Sequence, residues 1–199
     1  MATVIEQPVE LRAEQEPLKR KFTVKEYYLM AKAGVFDPDE RLELLEGEII
    51  RMSPKGTKHA ASTSQAARYF IERLSNRAIV RVQDPVYLNE YSEPEPDVAL
   101  VIPDEKRYLD HHPMPEDIFL ILEIADTTLR RDRRKAALYA RSGIIQYCIL
   151  NVNKDEMEEY RDPEEGGYRS KQTYRAGQSF SLVAFPDVSI TVKDLLPPQ

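Results

Sequence analysis

The chain has 199 residues, of which 42% are hydrophobic and 31% are charged, proportions typical of a soluble globular domain. Its formal net charge of −6 disfavours a protein that coats nucleic acid through bulk electrostatics, but it permits local contacts with phosphate groups. No apolar run approaches the ~20 residues that a membrane-spanning helix requires, and we expect no secretory signal. The only cysteine, Cys148, lies in an apolar run and has no partner for an intrachain disulfide, so we expect a cytoplasmic protein.

Helical and strand-like patterns alternate along the chain. Helices are indicated by the capping-box spacing of Thr23 and Glu26 and by apolar side chains at helical spacing, and strands by alternating or continuous apolar runs. The predicted elements, in chain order, are a helix from Thr23 to about Gly34, a hairpin over 41–52, a helix over about 60–75, strands over 79–88, 97–102 and 118–125, a helix over about 129–142, a strand over 144–152 and short antiparallel strands over 155–195.

These elements predict an α/β (α+β) fold in which helices flank a mixed sheet. The strand at 118–125, the helix after it and the strand at 144–152 have short joints, which predicts a right-handed crossover between parallel strands. We expect a flexible arm over residues 1–20 and one domain over 21–199, with a core at about 22–152 and a C-terminal β-extension at 155–195.

Two carboxylates stand beside apolar strands. Glu123 lies within the most apolar strand of the chain, and a buried ionised carboxylate is unfavourable unless it is paired or bound to a metal. A strand-end glutamate that reaches water or pairs with an arginine is an equally good interpretation of the spacing. Asp97 directly precedes another apolar strand, where a turn residue after Pro96 is the simpler interpretation. If the two strands are neighbours, however, both carboxylates can converge on one divalent cation.

Lys135 lies on the helix that follows the Glu123 strand, on the same face as Asp132 and Tyr139. A lysine directed towards two carboxylates and a metal can orient water and stabilise a phosphoryl oxyanion. A solvated helix lysine is the alternative interpretation. Together with Lys135, four arginines fall within six positions at the start of this helix: Arg130, Arg131, Arg133 and Arg134. They suit phosphate contacts, and they equally suit an ordinary charged helix face.

Several short motifs follow one another in order. They are Leu42-Glu-Leu-Leu-Glu-Gly-Glu48, Met52-Ser-Pro54, His59 before a helix, Glu95-Pro-Asp97-Val-Ala-Leu100, Leu122-Glu-Ile124, Asp132-Arg-Arg-Lys135-Ala-Ala-Leu-Tyr139-Ala-Arg-Ser-Gly143 and Gln146-Tyr147. Each motif is weak alone, but the ordered set, which covers about residues 22–152, resembles the Uma-two family of restriction endonucleases. That family is a branch of the PD-(D/E)XK nuclease superfamily, so the resemblance implies a restriction-endonuclease-like mixed sheet flanked by helices.

The resemblance also implies an activity, which is hydrolysis of DNA phosphodiester bonds with Mg²⁺ or Mn²⁺ as cofactor. The hypothesis is that Asp97, Glu123 and the Ile124 carbonyl hold one Mg²⁺ ion, while Lys135 positions the attacking water. Ala125 stands where the superfamily motif has its lysine, so Lys135 from the next helix is expected to replace it. A homodimer is expected, since two sites can then address two DNA strands.

Glu43 and His59 match family positions and could complete the catalytic site. The alternatives are a solvent-facing strand residue for Glu43 and a helix-capping residue for His59. Two other functions stay open at this point: a catalytically inactive, nuclease-like module that binds DNA or protein, and a dimeric scaffold whose C-terminal strands pair across subunits.

Overall fold

A computed structural model describes residues 19–197 of the chain. The predicted arm over residues 1–20 therefore falls, up to residue 18, outside the described range. None of the helices within that range combines the length and the apolar character needed to cross a membrane.

The helices and strands follow the order expected from the sequence. In chain order they are α1 (Val24–Lys32), β1 (Leu42–Leu45), β2 (Glu48–Arg51), α2 (Thr57–Leu74), β3 (Ile79–Arg81), β4 (Val98–Val101), β5 (Ile118–Ala125), α3 (Leu129–Arg141), β6 (Gln146–Asn151), β7 (Glu156–Glu164), β8 (Gly167–Arg175), β9 (Ser179–Ser181), β10 (Ser189–Thr191) and α4 (Val192–Leu195). The capping box predicted at the start of α1 is present, since Thr23 and Glu26 exchange hydrogen bonds.

A six-stranded mixed sheet forms the centre of the fold, with the strand order β3-β4-β5-β6-β7-β8. Strands β5 and β6 are parallel and are joined by α3, as predicted, while all other neighbours in this sheet are antiparallel. The expected mixed α/β fold is thus confirmed. The C-terminal hairpin β7–β8 extends this same sheet, with nine residues in each strand, instead of forming a set of short strands.

Alternate residues of β5 face two hydrophobic cores, because side chains alternate across a strand. Leu122 and Ile124 pack in the core that contains Phe70 of α2, whereas Ile121 and Ala125 pack in the core that contains Tyr139 of α3. Both cores contain side chains that are fully buried. The intervening Glu123 shares its face of the sheet with Ile121 and Ala125, which directs its carboxylate towards α3.

The predicted strand over residues 79–88 is wrong beyond Arg81. The chain leaves the sheet at Gln83, whose φ of 58° lies in the left-handed region that interrupts a strand. Val86 and Leu88 are nevertheless buried, in a loop where the Val86 N–H donates to a main-chain carbonyl of the opposite segment. Apolar residues at alternate positions indicated burial here, and burial came from loop packing rather than from strand pairing.

Candidate active site

Asp97 and Glu123 lie side by side because their strands are antiparallel neighbours. Val98 of β4 pairs with Leu122 of β5, so the residue before β4 reaches the end of β5. The Ile124 N–H donates to Asp97 Oδ2 at 2.8 Å, and the Asp97 N–H lies 3.4 Å from Glu123 Oε2. The carbonyl of a strand residue points to the same side as its N–H, so the Ile124 carbonyl also faces Asp97.

Lys135 is buried against two carboxylates. Its Nζ donates to Glu123 Oε1 at 3.0 Å and to Glu43 Oε2 at 2.9 Å, and its side chain is only 4% exposed. Helix α3 begins close to the end of β5 and packs back over the sheet, which brings its second turn above Glu123. The alternative interpretation of Lys135 as a solvated lysine is therefore wrong, and so is that of Glu43 as a solvent-facing residue.

Tyr139 completes this cluster, although no role for it was predicted from the sequence. Its hydroxyl donates to Glu123 Oε1 at 3.2 Å, and its ring lies against that of Tyr147, with centroids 4.8 Å apart. The Tyr147 hydroxyl in turn donates to the main-chain carbonyl of Asp132 at 2.8 Å. The helical spacing that placed Tyr139 on the face of Lys135 was the available signal, and only the fold shows which acceptor it reaches.

His59 and Gln83 hold the other side of Asp97. His59 Nε2 lies 3.0 Å from Asp97 Oδ2, and the Gln83 amide donates to Asp97 Oδ1 at 3.1 Å. Burial raises the pKa of Asp97, but the contact with His59 and the N–H of Ile124 outweigh it, so this pKa lies below its ordinary value. His59 belongs to the ordered sequence motifs, whereas nothing in the sequence around Gln83 indicated a role at the site.

Acidic side chains outnumber basic ones in the interior of this cluster. Burial raises the pKa of Glu123 to about 8; Lys135 opposes the rise, and Asp97, Asp132 and Glu43 add to it. Burial lowers the pKa of Lys135, but Glu123 and Glu43 outweigh that effect, so its amine remains protonated. Several buried acids thus share one ammonium group, and a second cation would be electrostatically favoured here.

The cluster lines a cavity of about 270 Å³ that is open to solvent. Its lining includes the two acids, the segment from Met52 to Gly56, the segment from Asp126 to Thr128, and Arg131. Asp126, which also lines this cavity, accepts a hydrogen bond from Asn153 at 3.0 Å.

The site offers oxygen ligands of the kind that a hard divalent cation prefers. No group of three or more His, Cys, Asp or Glu side chains between residues 19 and 197 is arranged as a complete metal site. Two carboxylates, one main-chain carbonyl and water are nonetheless the oxygen ligands that Mg²⁺ commonly takes. In addition, Glu43 Oε1 is buried without a hydrogen-bond partner in the described range. The residues present at Asp97 and Glu123 therefore fit Mg²⁺ or Mn²⁺.

Comparisons with known proteins show the family and the fold of the chain. The model of the Uma2 family, described as "Putative restriction endonuclease", matches residues 24–193. Among solved structures, the chain is similar to a protein from Anabaena variabilis described as a "putative nuclease belonging to DUF820". The TM-score is 0.70 at 14% sequence identity, over 87% of this chain and 97% of that chain, which indicates a shared fold. No match to a curated protein was found.

Proposed function

Because the chain belongs to the Uma2 family, whose description is "Putative restriction endonuclease", we propose that it is a metal-dependent endonuclease that hydrolyses phosphodiester bonds in DNA. The observation that carries this proposal is the buried cluster in which the Lys135 amine lies 3.0 Å from Glu123, beside Asp97 and open to a cavity. Two acids and one amine at such a position supply the groups that phosphodiester hydrolysis requires.

Asp97, Glu123 and the Ile124 carbonyl would hold one Mg²⁺ or Mn²⁺ ion. The excess of buried acid over amine and the unsatisfied oxygen of Glu43 support a cation at this position. When bound, the ion would polarise a non-bridging phosphate oxygen and lower the pKa of the attacking water.

Lys135 would supply the other positive charge. Its protonated amine would position the attacking water and stabilise the negative charge that develops on the phosphoryl group. Glu43, at 2.9 Å from this amine, would keep it directed towards Glu123, and His59 would fix the orientation of Asp97. The amine thus takes the role of the lysine that Ala125 replaces in the superfamily motif.

Nicking of supercoiled plasmid DNA in Mg²⁺ tests the proposal. We expect the wild type to nick the plasmid, chelator to abolish nicking, and Lys135→Met to lower the rate by about 10² to 10³, the loss typical of one transition-state donor. Glu123→Gln, which keeps the size of the side chain, provides a second variant in case Lys135→Met folds poorly. Lys106→Met removes an exposed lysine paired with Asp110 and serves as the matched control. Nicking by Lys135→Met and Glu123→Gln at the wild-type rate would contradict the assigned roles.

An inactive, nuclease-like module that binds DNA or protein is the second candidate function. It is favoured by Ala125 at the superfamily lysine position and by the lack of a complete three-ligand metal site within residues 19–197. A wild type that binds DNA but leaves the plasmid intact in Mg²⁺ and in Mn²⁺ would support this candidate.

We also propose that the enzyme is a homodimer that acts in the cytoplasm. A dimer would present one site to each strand of a duplex, and the buried free thiol of Cys148 suits a reducing compartment. Sedimentation equilibrium of the purified chain would test the dimer, which a monomer at all concentrations would exclude.

A further inference from the structure

Two cationic side chains border the cavity without pairing with a carboxylate of residues 19–197. Lys55 lies in the segment between β2 and α2, and Arg131 lies in the first turn of α3. By contrast, Arg133 of the same helix pairs with Glu158. Lys55 and Arg131 therefore present positive charge to the cavity rather than to a partner on the protein surface.

Arg131 carries a buried donor that the described part of the chain leaves unused. Its Nε has no hydrogen-bond partner there, although a buried N–H group without an acceptor is unfavourable. The same residue, like Lys135, lines a second cavity of about 420 Å³. Arg131 thus lines both cavities and forms no ion pair within residues 19–197.

Lys55 lies within electrostatic reach of the acids. Burial and the positive charge of Arg41 lower the pKa of its amine, and the charges of Asp97, Glu95 and Glu123 offset this only in part, so the pKa lies below its ordinary value. Lys55 lines the same cavity as Asp97 and Glu123, whose ion-pair partners are His59 and Lys135. A position near the acids without direct pairing suits contact with an anion that enters above them.

We propose that Lys55 and Arg131 form a clamp for the backbone phosphates of the nucleic acid substrate, an inference that rests on the proposed nuclease function. The planar guanidinium group of Arg131 can donate to two oxygens of one phosphate, and the Lys55 ammonium can contact a phosphate as a point charge. The positive end of α3, whose first turn carries Arg131, adds to the attraction for an anion. The clamp holds the strand over the acids and reads no bases, because phosphate contacts carry no sequence information.

Binding of a fluorescent oligonucleotide without divalent ions tests the clamp separately from catalysis. We expect Lys55→Gln and Arg131→Gln each to weaken binding about tenfold and to lower the slope of log affinity against log salt concentration by about 0.7 to 0.9. The loss is expected to be equal for two oligonucleotides of unrelated sequence. Lys58→Gln and Arg130→Gln are the matched controls, since each removes one exposed positive charge within a few residues of the test position.

Variants that keep the positive charge test whether charge alone accounts for the contact. Lys55→Arg and Arg131→Lys are expected to retain most of the wild-type slope of log affinity against log salt concentration, because a contact with phosphate depends on the charge. Equal losses in the test and control variants, or unchanged affinity in Lys55→Gln and Arg131→Gln, would overturn the clamp. If these residues control oligonucleotide binding while wild-type protein leaves plasmid intact, the clamp stands and the nuclease proposal fails. If the wild type nicks plasmid and the clamp variants bind normally, only the clamp fails.

Discussion

Replacing Lys135 by methionine leaves two buried carboxylates without the amine that they share. Glu43 and Glu123 lie 2.9 and 3.0 Å from this amine, and the Lys135 side chain is 4% exposed. Removal of one partner from a buried ion pair destabilises a protein by about 3 to 5 kcal/mol, because the remaining charge is desolvated without compensation. We expect a loss of this size near pH 9, where both carboxyls would be ionised in the unfolded chain.

The loss is expected to depend on pH in a defined direction. In Lys135→Met, burial keeps the pKa of the Glu123 carboxyl above its unfolded value, so the folded state binds more protons than the unfolded state. Its stability then falls as the pH rises through the folded pKa. Near pH 5 the Glu123 carboxyl can be protonated, and we expect a loss of only about 1 to 2 kcal/mol, which reflects the lost hydrogen bonds.

Urea unfolding of the wild type and of Lys135→Met, near pH 5 and near pH 9, measures both quantities. Lys106→Met is the control, because the pair of Lys106 with Asp110 is exposed and should contribute less than about 1 kcal/mol. A loss in Lys135→Met that is equal at the two pH values, or that matches the control, would refute the buried-pair reasoning.

The remaining predictions concern one hydrogen bond at the site and one ion pair outside it. Tyr139→Phe removes the donor at 3.2 Å from Glu123, and we expect a loss of about 1 kcal/mol in urea unfolding together with slower plasmid nicking; unchanged nicking would exclude Tyr139 as a positioning residue. Burial raises the pKa of Glu158, but Arg133, Tyr160 and Lys171 outweigh it and hold this pKa at about 2. Because the pKa of Glu158 is lower in the folded than in the unfolded state, the ionised carboxylate contributes to stability at pH values above the unfolded pKa. This contribution is lost as the pH falls towards 2. Because solvent screens part of this interaction, we expect it to contribute about 1 to 2 kcal/mol to the free energy of unfolding. Glu158→Gln should therefore be less stable than the wild type near neutral pH, and its stability should fall less steeply as the pH is lowered. A fall as steep as that of the wild type would argue against this pair.

The sequence predicted those parts of the fold whose pattern is local. The apolar run of β5 and the periodic helix α3 are found where they were expected, since strong periodicity and continuous hydrophobicity leave few alternatives. The ordered motifs also led to the correct family, as the match over residues 24–193 shows. The strand predicted up to Leu88 failed at Gln83, where contacts with the Asp97 segment override strand propensity.

The contacts within the site could be assigned only from the tertiary structure. Glu43 is 92 positions from Lys135 in the chain, and no pattern near either residue indicates that they are in contact. The motifs indicated both residues as candidates for the catalytic site. The choice between a buried ion pair and a solvated lysine depended on how α3 packs over β5. Gln83 shows the converse case, because a polar loop residue acquires its role only through the neighbour that it reaches.

Binding of Mn²⁺ to the purified protein tests the central claim, that Asp97 and Glu123 share one divalent cation. Titration calorimetry of the wild type, Glu123→Gln and the control Glu159→Gln would measure the affinities; Glu159 is buried elsewhere in the sheet and is held by Gln146. We expect one ion per chain in the wild type, an affinity about 100-fold lower or weaker still in Glu123→Gln, and no change in the control. Equal affinity in the wild type and in Glu123→Gln would contradict the claim, as would a wild type that binds no Mn²⁺.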